Sequence, residues 1–213
     1  MKVAIALESP HLSPRSRALS LGRKLAGGGD LVAAACLMDG AADGPALAAR
    51  LGLREAYFVA DATLAKTGSR GRAQAVARLL ARVRVDLVLV DAAADGGGGI
   101  FSASLAHLGK MSGLFRVRDV ERDNAPDAIV VALDVAGMRQ RLRLELPAVL
   151  SVSGEAPALP AIDASLVRSR TFSLADLGLA PDELVREPIP SEAFMPAFRR
   201  PLVVTAIDDL LGE

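Results

Sequence analysis

The chain has few aromatic residues. They make up 3% of its 213 residues, and tryptophan is absent. Proteins that bind single-stranded nucleic acids stack the bases on aromatic rings and usually carry a basic surface. Since the formal net charge is +0, both features are missing, and we do not expect a nucleic acid as a partner.

Cysteine and histidine are equally scarce. Cys36 is the one cysteine, which excludes an internal disulfide, and its apolar neighbours predict a buried, inert thiol. His11 and His107 lie far apart and do not have the spacing of metal ligands. The sequence has no Gly-x-Ser-x-Gly motif, and no pair of carboxylates stands out from the surface charges. We therefore expect a protein that is not an enzyme in its own right.

Long apolar runs are missing as well. A membrane-spanning helix needs about 18 consecutive apolar residues, and no segment approaches that length. The first apolar run, Val3–Leu7, is shorter than the core of a secretion signal and stops at Glu8. These features predict a cytoplasmic protein with no direct membrane insertion.

The most informative stretch is residues 86–101. Its apolar run at residues 87–90 predicts a strand buried on both faces. Asp95, four glycines and a helix from Ile100 follow, which is the order in which open α/β sheets form a ligand crevice beyond their strands. Glycines let backbone N–H groups approach a phosphate. A flexible surface loop is the alternative, and Asp95 either caps the turn or binds a ribose.

Strands and helices alternate through the first half of the chain. Short apolar runs predict the strands, and apolar residues at helical spacing predict the helices between them. Ser13 and Pro14 are typical of a helix start, and Gly27 of a helix end. The alternation predicts an α/β fold with a doubly wound, mostly parallel sheet. The predicted strands are Val3–Leu7, Leu31–Leu37, residues 56–59 and residues 87–90.

The second half of the chain has a different pattern. Strands are predicted at residues 114–120, 129–133 and 139–144, with a hairpin turn at Ala136 and Gly137, and a buried strand at residues 146–152. Prolines become frequent after residue 154. We therefore predict an α/β domain over residues 1–153. Residues 154–213 are predicted to be a docking loop and a Pro-rich arm that wraps a partner subunit, with a mobile tail as the alternative.

Four stretches in this order resemble the β subunit of electron transfer flavoproteins: residues 1–7, 46–56, 86–109 and 146–152. The resemblance implies an adenine-nucleotide hydrolase-like fold. It implies a heterodimer with an electron transfer flavoprotein α subunit, which holds most of the FAD. It also implies an electron carrier that takes electrons from a flavin-linked dehydrogenase and passes them toward a quinone oxidoreductase of the respiratory chain.

The resemblance places a bound AMP along the first strand and the glycine turn. The family's turn carries further polar side chains, whereas this sequence has glycines, Ile100 and Phe101 there. The resemblance therefore leaves open whether AMP, a second FAD or no ligand fills the site. The cofactor-binding residues that it implies are Ala6, Leu7, Asp95, Gly96, Gly97, Gly98, Gly99, Ile100 and Phe101.

The family docks its dehydrogenases through a loop that follows the Leu-Pro-Ala-Val strand. The resemblance assigns this role to Leu159, Pro160, Ile162, Arg168 and Arg170, with Leu159 as an exposed anchor for a pocket of the partner. Packing of Leu159 on its own domain is the alternative. For the whole chain, the alternative function is an adenine-nucleotide-binding regulatory module of the universal-stress-protein type, which shares the fold.

Overall fold

The computed structural model describes residues 1–8, 12–27, 31–37, 43–93 and 99–184. Within these ranges the chain forms one sheet flanked by helices. The strands are β1 (Val3–Leu7), β2 (Leu31–Leu37), β3 (Glu55–Ala60), β4 (Leu87–Asp91), β5 (Ser112–Arg122), β6 (Ala128–Val135), β7 (Met138–Glu145), β8 (Ala148–Val152) and β9 (Arg168–Phe172). The helices are α1 (Arg17–Ala26), α2 (Gly44–Arg50), α3 (Ser69–Val83) and α4 (Ile100–Gly109), with short 3₁₀ turns at Ala62–Lys66, Ala164–Leu166 and Ala175–Leu177.

The strand order in the sheet is β7-β6-β5-β8-β4-β1-β2-β3-β9. Strands β5, β6 and β7 pair antiparallel, and the other neighbours pair parallel. Strand β8 is inserted between β4 and β5, both of which precede it in the chain. The expected α/β fold with a mostly parallel sheet is confirmed.

Two apolar cores cover the two faces of the sheet, because successive side chains of a strand point to opposite faces. In β4, Leu87 and Leu89 belong to the core that includes residues of α1 and α2, whereas Val88 and Val90 belong to the core that includes residues of α3 and α4. All five residues of β4 are buried, as are those of its neighbours β1 and β8. This packing fixes the positions of the strand ends on which a site can be built.

Helix α1 begins three residues later than the sequence predicted. Ser16, not Ser13, is its N-cap, and the Ser16 hydroxyl accepts a hydrogen bond from the N–H of Ala18 at 3.2 Å. The N–H of Arg17 donates to the carbonyl of Gly154 at 3.2 Å. The predicted start was wrong because the segment after β8 pairs with this turn, which no local pattern reveals. The helix ends at Gly27, as predicted, with a φ of +62°.

The sheet extends past residue 153. Residues 168–172, which the sequence analysis placed in the docking segment and not in a strand, form edge strand β9 and pair parallel with β3. Beyond β9, Leu174, Leu177 and Leu179 pack into the core on the α3 and α4 side. The wrapping role of residues 154–213 stays a prediction, and residues 185–213 lie outside the described ranges.

Candidate functional site

A crevice of about 590 Å³ opens at the carboxyl ends of β4 and β8. In parallel sheets this edge is where ligands bind, and a crevice forms where neighbouring connections diverge. We call it the carboxyl-edge crevice. Its lining residues are Ala92, Gly99, Ala103, Phe115, Arg116, Arg118, Asp134, Ser151 and Ser153.

One wall of the carboxyl-edge crevice is the N-terminus of α4. Gly99 precedes the helix with a φ of +89°, a conformation that glycine adopts without strain. Among the described residues, no side chain caps this end of the helix. The first backbone N–H groups of a helix carry a partial positive charge, and they attract anions such as phosphate. The wall therefore offers the kind of backbone donors that the sequence predicted for the glycine turn.

The opposite wall carries two arginines from β5. The pairing of β5 with β8 is irregular between Leu114 and Val117, and within this bulge Arg116 has a φ of +59°. A non-glycine residue in the left-handed region is strained, and such residues are concentrated at functional sites. Arg118 pairs with Asp134 at 3.2 Å between Nε and Oδ2. The two guanidinium groups outnumber the one carboxylate, so this wall has a net positive charge.

Two serines line the floor of the carboxyl-edge crevice at the end of β8. Ser151 lies opposite Val90 of β4 and is only 4% exposed. Ser153 follows the strand, and its N–H donates to the carbonyl of Val117 at 3.0 Å. Each hydroxyl is both a donor and an acceptor, so the floor adds neutral hydrogen-bonding groups between the helix end and the arginines.

A smaller crevice of about 310 Å³ lies beside the first, where Asp91 and Gly154 are part of its lining. Gly154 has a φ of +106°, and a Cβ there would lie 3.5 Å from Cδ of Arg17 and 3.8 Å from Nη1 of Arg118. Arginines from α1 and β5 thus meet across this glycine. The Nε of Arg17 is buried and has no hydrogen-bond partner among the described residues. A buried donor without an acceptor costs free energy.

The structure brings only part of the predicted nucleotide site together. Ala6 and Leu7 are buried in β1, at 1% and 2% exposure, so their side chains belong to the core. Gly99 lines the carboxyl-edge crevice, Ile100 is exposed, and Phe101 is buried beneath α4. Asp95, Gly96, Gly97 and Gly98 lie outside the described ranges.

The sequence analysis missed the arginines and serines of the carboxyl-edge crevice. Ser151 did carry a signal, since it is a polar residue near the carboxyl end of an otherwise apolar strand. Arg116 and Arg118 alternate along β5, which is also the pattern of an ordinary solvent-facing strand. Nothing in the sequence distinguished these two arginines from others on the surface.

The predicted docking residues lie on the far side of the domain. Leu159 is half-buried and packs against the core, which is the alternative that the sequence analysis left open. The reason is Gly52: the loop lies so close to it that a Cβ there would be 3.3 Å from Cβ of Leu159. Ile162 donates its N–H to the carbonyl of Ala49 at 3.0 Å. The docking role of this segment stays a prediction.

Three further docking residues have separate environments. Pro160 follows Leu159 and is exposed. Arg168 and Arg170 are exposed on edge strand β9, and the guanidinium of Arg170 lies 4.7 Å from the ring centre of Phe172. Between them and the loop, Leu166 is 59% exposed.

Neither a metal cluster nor a membrane-spanning helix is present within the described ranges. No group of three or more His, Cys, Asp or Glu side chains there is placed to hold a metal ion. In the same residues, no helix has the length and apolar character needed to cross a membrane.

Comparison with protein families gives a match that covers the carboxyl-edge crevice and β9. The family model described as the electron transfer flavoprotein domain matches residues 13–175. A comparison with curated proteins gave no match.

Proposed function

The chain belongs to the electron transfer flavoprotein domain family, and we propose that it is the β subunit of a heterodimeric electron transfer flavoprotein. In this proposal an α subunit holds most of the FAD. The heterodimer accepts electrons in the cytoplasm from a flavin-linked dehydrogenase and passes them toward a quinone oxidoreductase. The chain itself makes and breaks no bonds.

The carboxyl-edge crevice is the observation that carries this proposal. It combines the N-terminus of α4, two arginines against one carboxylate, and two serine hydroxyls. These donors fit the phosphate groups that FAD and adenine nucleotides share. A crevice with such a lining supports a role in holding or facing a nucleotide, at the edge where this class of fold binds its ligands.

The chain's own residues would position and shield the cofactor. Arg116 and Arg118 would donate to phosphate oxygens, and the first N–H groups of α4 would complete the anion site. Phe115, which is 42% exposed, would offer apolar surface to a ring. When bound, the flavin supplies the reversible one-electron chemistry. The same donors suit AMP or a second FAD, so the ligand of the crevice has to be identified by experiment.

Native mass spectrometry of the complex purified from its own host tests the proposal. We expect one copy of this chain, one copy of a larger chain and one FAD. An additional mass of AMP or of a second FAD would identify the ligand of the carboxyl-edge crevice. A lone chain or homodimer with an adenine nucleotide and without flavin would refute the proposal and favour the regulatory module.

A matched pair of variants connects the cofactor with the crevice. Arg118 and Arg143 each form an ion pair through Nε, at 3.2 Å and 3.1 Å, and their side chains are 50% and 53% exposed. Only Arg118 lines the crevice. Arg118→Gln should reduce the affinity for the bound nucleotide or flavin about tenfold, as expected for one charge-assisted hydrogen bond. Arg143→Gln should leave that affinity unchanged, and equal losses would show that the crevice is not the site.

A further inference from the structure

A buried carboxylate lies at the carboxyl end of β1. Glu8 directly follows the last residue of this strand and is 6% exposed. Ala4 and Ala6 belong to the core on the α3 and α4 side of the sheet. Because side chains alternate between the two faces along a strand, Glu8 points to that same side, where it contacts the first turn of α3.

Two donors from α3 hold one oxygen of this carboxylate. Oε1 of Glu8 accepts a hydrogen bond from the Ser69 hydroxyl at 2.7 Å and another from Nη1 of Arg72 at 3.1 Å. Nε of Arg72 donates to the carbonyl of Leu64 at 3.2 Å, so the guanidinium group is itself fixed. The side chain of Arg72 is only 19% exposed, and the ion pair with Glu8 is therefore shielded from water. These contacts fix the position and the orientation of the carboxylate.

The second oxygen of the carboxylate has no donor within the part of the chain that the structure describes. Oε2 of Glu8 is buried, and no hydrogen bond to it is formed there. A buried acceptor without a donor costs free energy, and such atoms are rare in native proteins. The guanidinium group of Arg72 already balances the negative charge of Glu8. Oε2 therefore suits a neutral donor, such as a hydroxyl group, better than a second cation.

Glu8 lies at the same edge of the sheet as the carboxyl-edge crevice, and on the same face as α4. Strand β1 pairs directly with β4, and neighbouring strands are about 4.8 Å apart. Helices α3 and α4 pack against each other, and the axes of packed helices are about 8–10 Å apart. The first turn of α3 thus holds Glu8 beside the start of α4, which offers donors to a phosphate. In a nucleotide the ribose hydroxyls are one sugar ring away from the phosphate, so a single nucleotide can contact both groups.

We propose that Glu8 accepts a hydrogen bond from a ribose hydroxyl of the nucleotide whose phosphate lies in the carboxyl-edge crevice. The presence of a nucleotide rests on the proposed function, whereas the need of Oε2 for a donor rests on the hydrogen bonds of Glu8 alone. Acidic side chains bind ribose hydroxyls in other doubly wound folds. The arginines of β5 and the carboxylate after β1 also orient the ligand, with its phosphate toward β5 and its ribose toward β1. Glu8 thereby selects ribonucleotides over deoxyribonucleotides.

Analogues of AMP test this contact directly. Calorimetric competition titrations of the full-length protein in its purified native complex measure the affinities for AMP, 2′-deoxy-AMP, 3′-deoxy-AMP and inosine monophosphate. We expect at least one deoxy analogue to bind about tenfold more weakly than AMP, because a buried charged acceptor rejects a ligand that lacks its donor. Inosine monophosphate keeps the ribose and lacks the amino group of the base, so it should bind like AMP. Equal affinities for AMP and both deoxy analogues, or a loss with inosine monophosphate alone, would overturn the proposal.

A matched pair of acidic residues locates the contact. Glu8 directly follows β1 and Asp61 directly follows β3, but Asp61 caps a turn by accepting the N–H of Thr63 at 2.9 Å. Glu8→Gln keeps the shape of the side chain and removes its charge, so the preference for AMP over the weaker deoxy analogue should fall from about tenfold to about threefold. Asp61→Asn should leave this ratio unchanged. The same ratio in Glu8→Gln as in wild type, or an equal change in both variants, would overturn the proposal. If Glu8→Gln does not assemble, the titrations of the wild-type complex decide.

The flavin content of the complex separates this inference from the proposed function. If the complex holds FAD and AMP neither binds nor displaces a bound ligand, the role of Glu8 is wrong and the proposed function stands. If AMP binds with the expected preference to a chain without flavin and without a larger partner, the proposed function fails and the role of Glu8 stands. If AMP displaces a second FAD with the same preference, Glu8 contacts the ribose that FAD shares with AMP.

Discussion

Replacing Gly52 with alanine should destabilise the domain for two separate reasons. The residue has a φ of +70°, which disfavours any side chain. Its Cβ would also lie 2.7 Å from the carbonyl oxygen of Pro160 and 3.3 Å from Cβ of Leu159. The first distance is shorter than real contacts allow, so the loop that carries Leu159 has to move.

Each of the two costs can be given a magnitude. A non-glycine residue in the left-handed region costs roughly 1–2 kcal/mol. If the loop moves, the hydrogen bond from Ile162 to Ala49 is weakened, and one such bond contributes about 1 kcal/mol. Gly52→Ala should therefore lower the free energy of unfolding by roughly 2–3 kcal/mol. Gly178 provides the control, because its φ is +66° and nothing lies within 4 Å of the Cβ position.

Urea unfolding followed by far-ultraviolet circular dichroism measures both variants, since the chain has no tryptophan for fluorescence. Gly178→Ala should lose only the conformational part, so the two variants should differ by about 1 kcal/mol. In thermal unfolding that difference corresponds to about 2–4 °C for a chain of this size. Equal losses in the two variants would refute the contact between the loop and the end of α2.

Three further predictions concern single side chains. Leu159→Ala should lower the free energy of unfolding by about 1–2 kcal/mol, because the side chain packs on the core. Leu166→Ala should change it by no more than about 0.5 kcal/mol, because that side chain is exposed. Urea unfolding compares the two variants, and a larger loss at Leu166 would contradict the packing of Leu159 on the core. Hydrogen bonds from Ser173 lower the pKa of the Asp176 carboxyl, and the N–H contributes more than the hydroxyl. The charged carboxylate of Asp176 therefore stabilises the fold above the pKa of about 3.9 that this group has in the unfolded chain. Wild type should have a higher free energy of unfolding than Asp176→Asn at neutral pH, and this difference should disappear as the pH falls through the pKa of Asp176 in the folded protein. Urea unfolding at a series of pH values measures it, and a difference that does not depend on pH would argue against the hydrogen bonds. Arg116→Gly should raise the free energy of unfolding by about 0.5–1 kcal/mol, because glycine adopts the φ of +59° without strain. The same variant should contain less bound nucleotide or flavin after purification. An unchanged amount of bound ligand would show that Arg116 is not part of the site.

Much of the sheet could be predicted from the sequence because its central strands are fully buried. Apolar runs as short as that of β4 favour a parallel strand that is buried on both faces. Strand β9 could not be predicted in this way. Four of its five residues are exposed and its sequence is polar, so only pairing with β3 makes it a strand. The pattern of an edge strand depends on a neighbour that local sequence does not identify.

Only the part of the candidate site that comes from one continuous segment of the chain could be predicted. Gly99 and the start of α4 follow β4 directly, and the glycine run identified that turn. Arg116 and Ser151 come from β5 and β8, and they face α4 because β8 lies between β4 and β5 in the sheet. Strand order is set by long-range packing, so a motif search along the chain had no means of bringing these residues together.

The insertion of β8 between β4 and β5 also limits how the chain can fold during its synthesis. When β4 leaves the ribosome, its outer edge has no partner, and the one that it acquires lies roughly sixty residues further along. At typical rates of protein synthesis this delay lasts about 3–12 s. In the finished sheet only β8 joins β1–β4 to the β5–β7 meander, so we expect these two parts to stay unconnected during that interval. A fully buried strand pairing is thus among the last to form, which makes the growing polypeptide dependent on protection of the β4 edge.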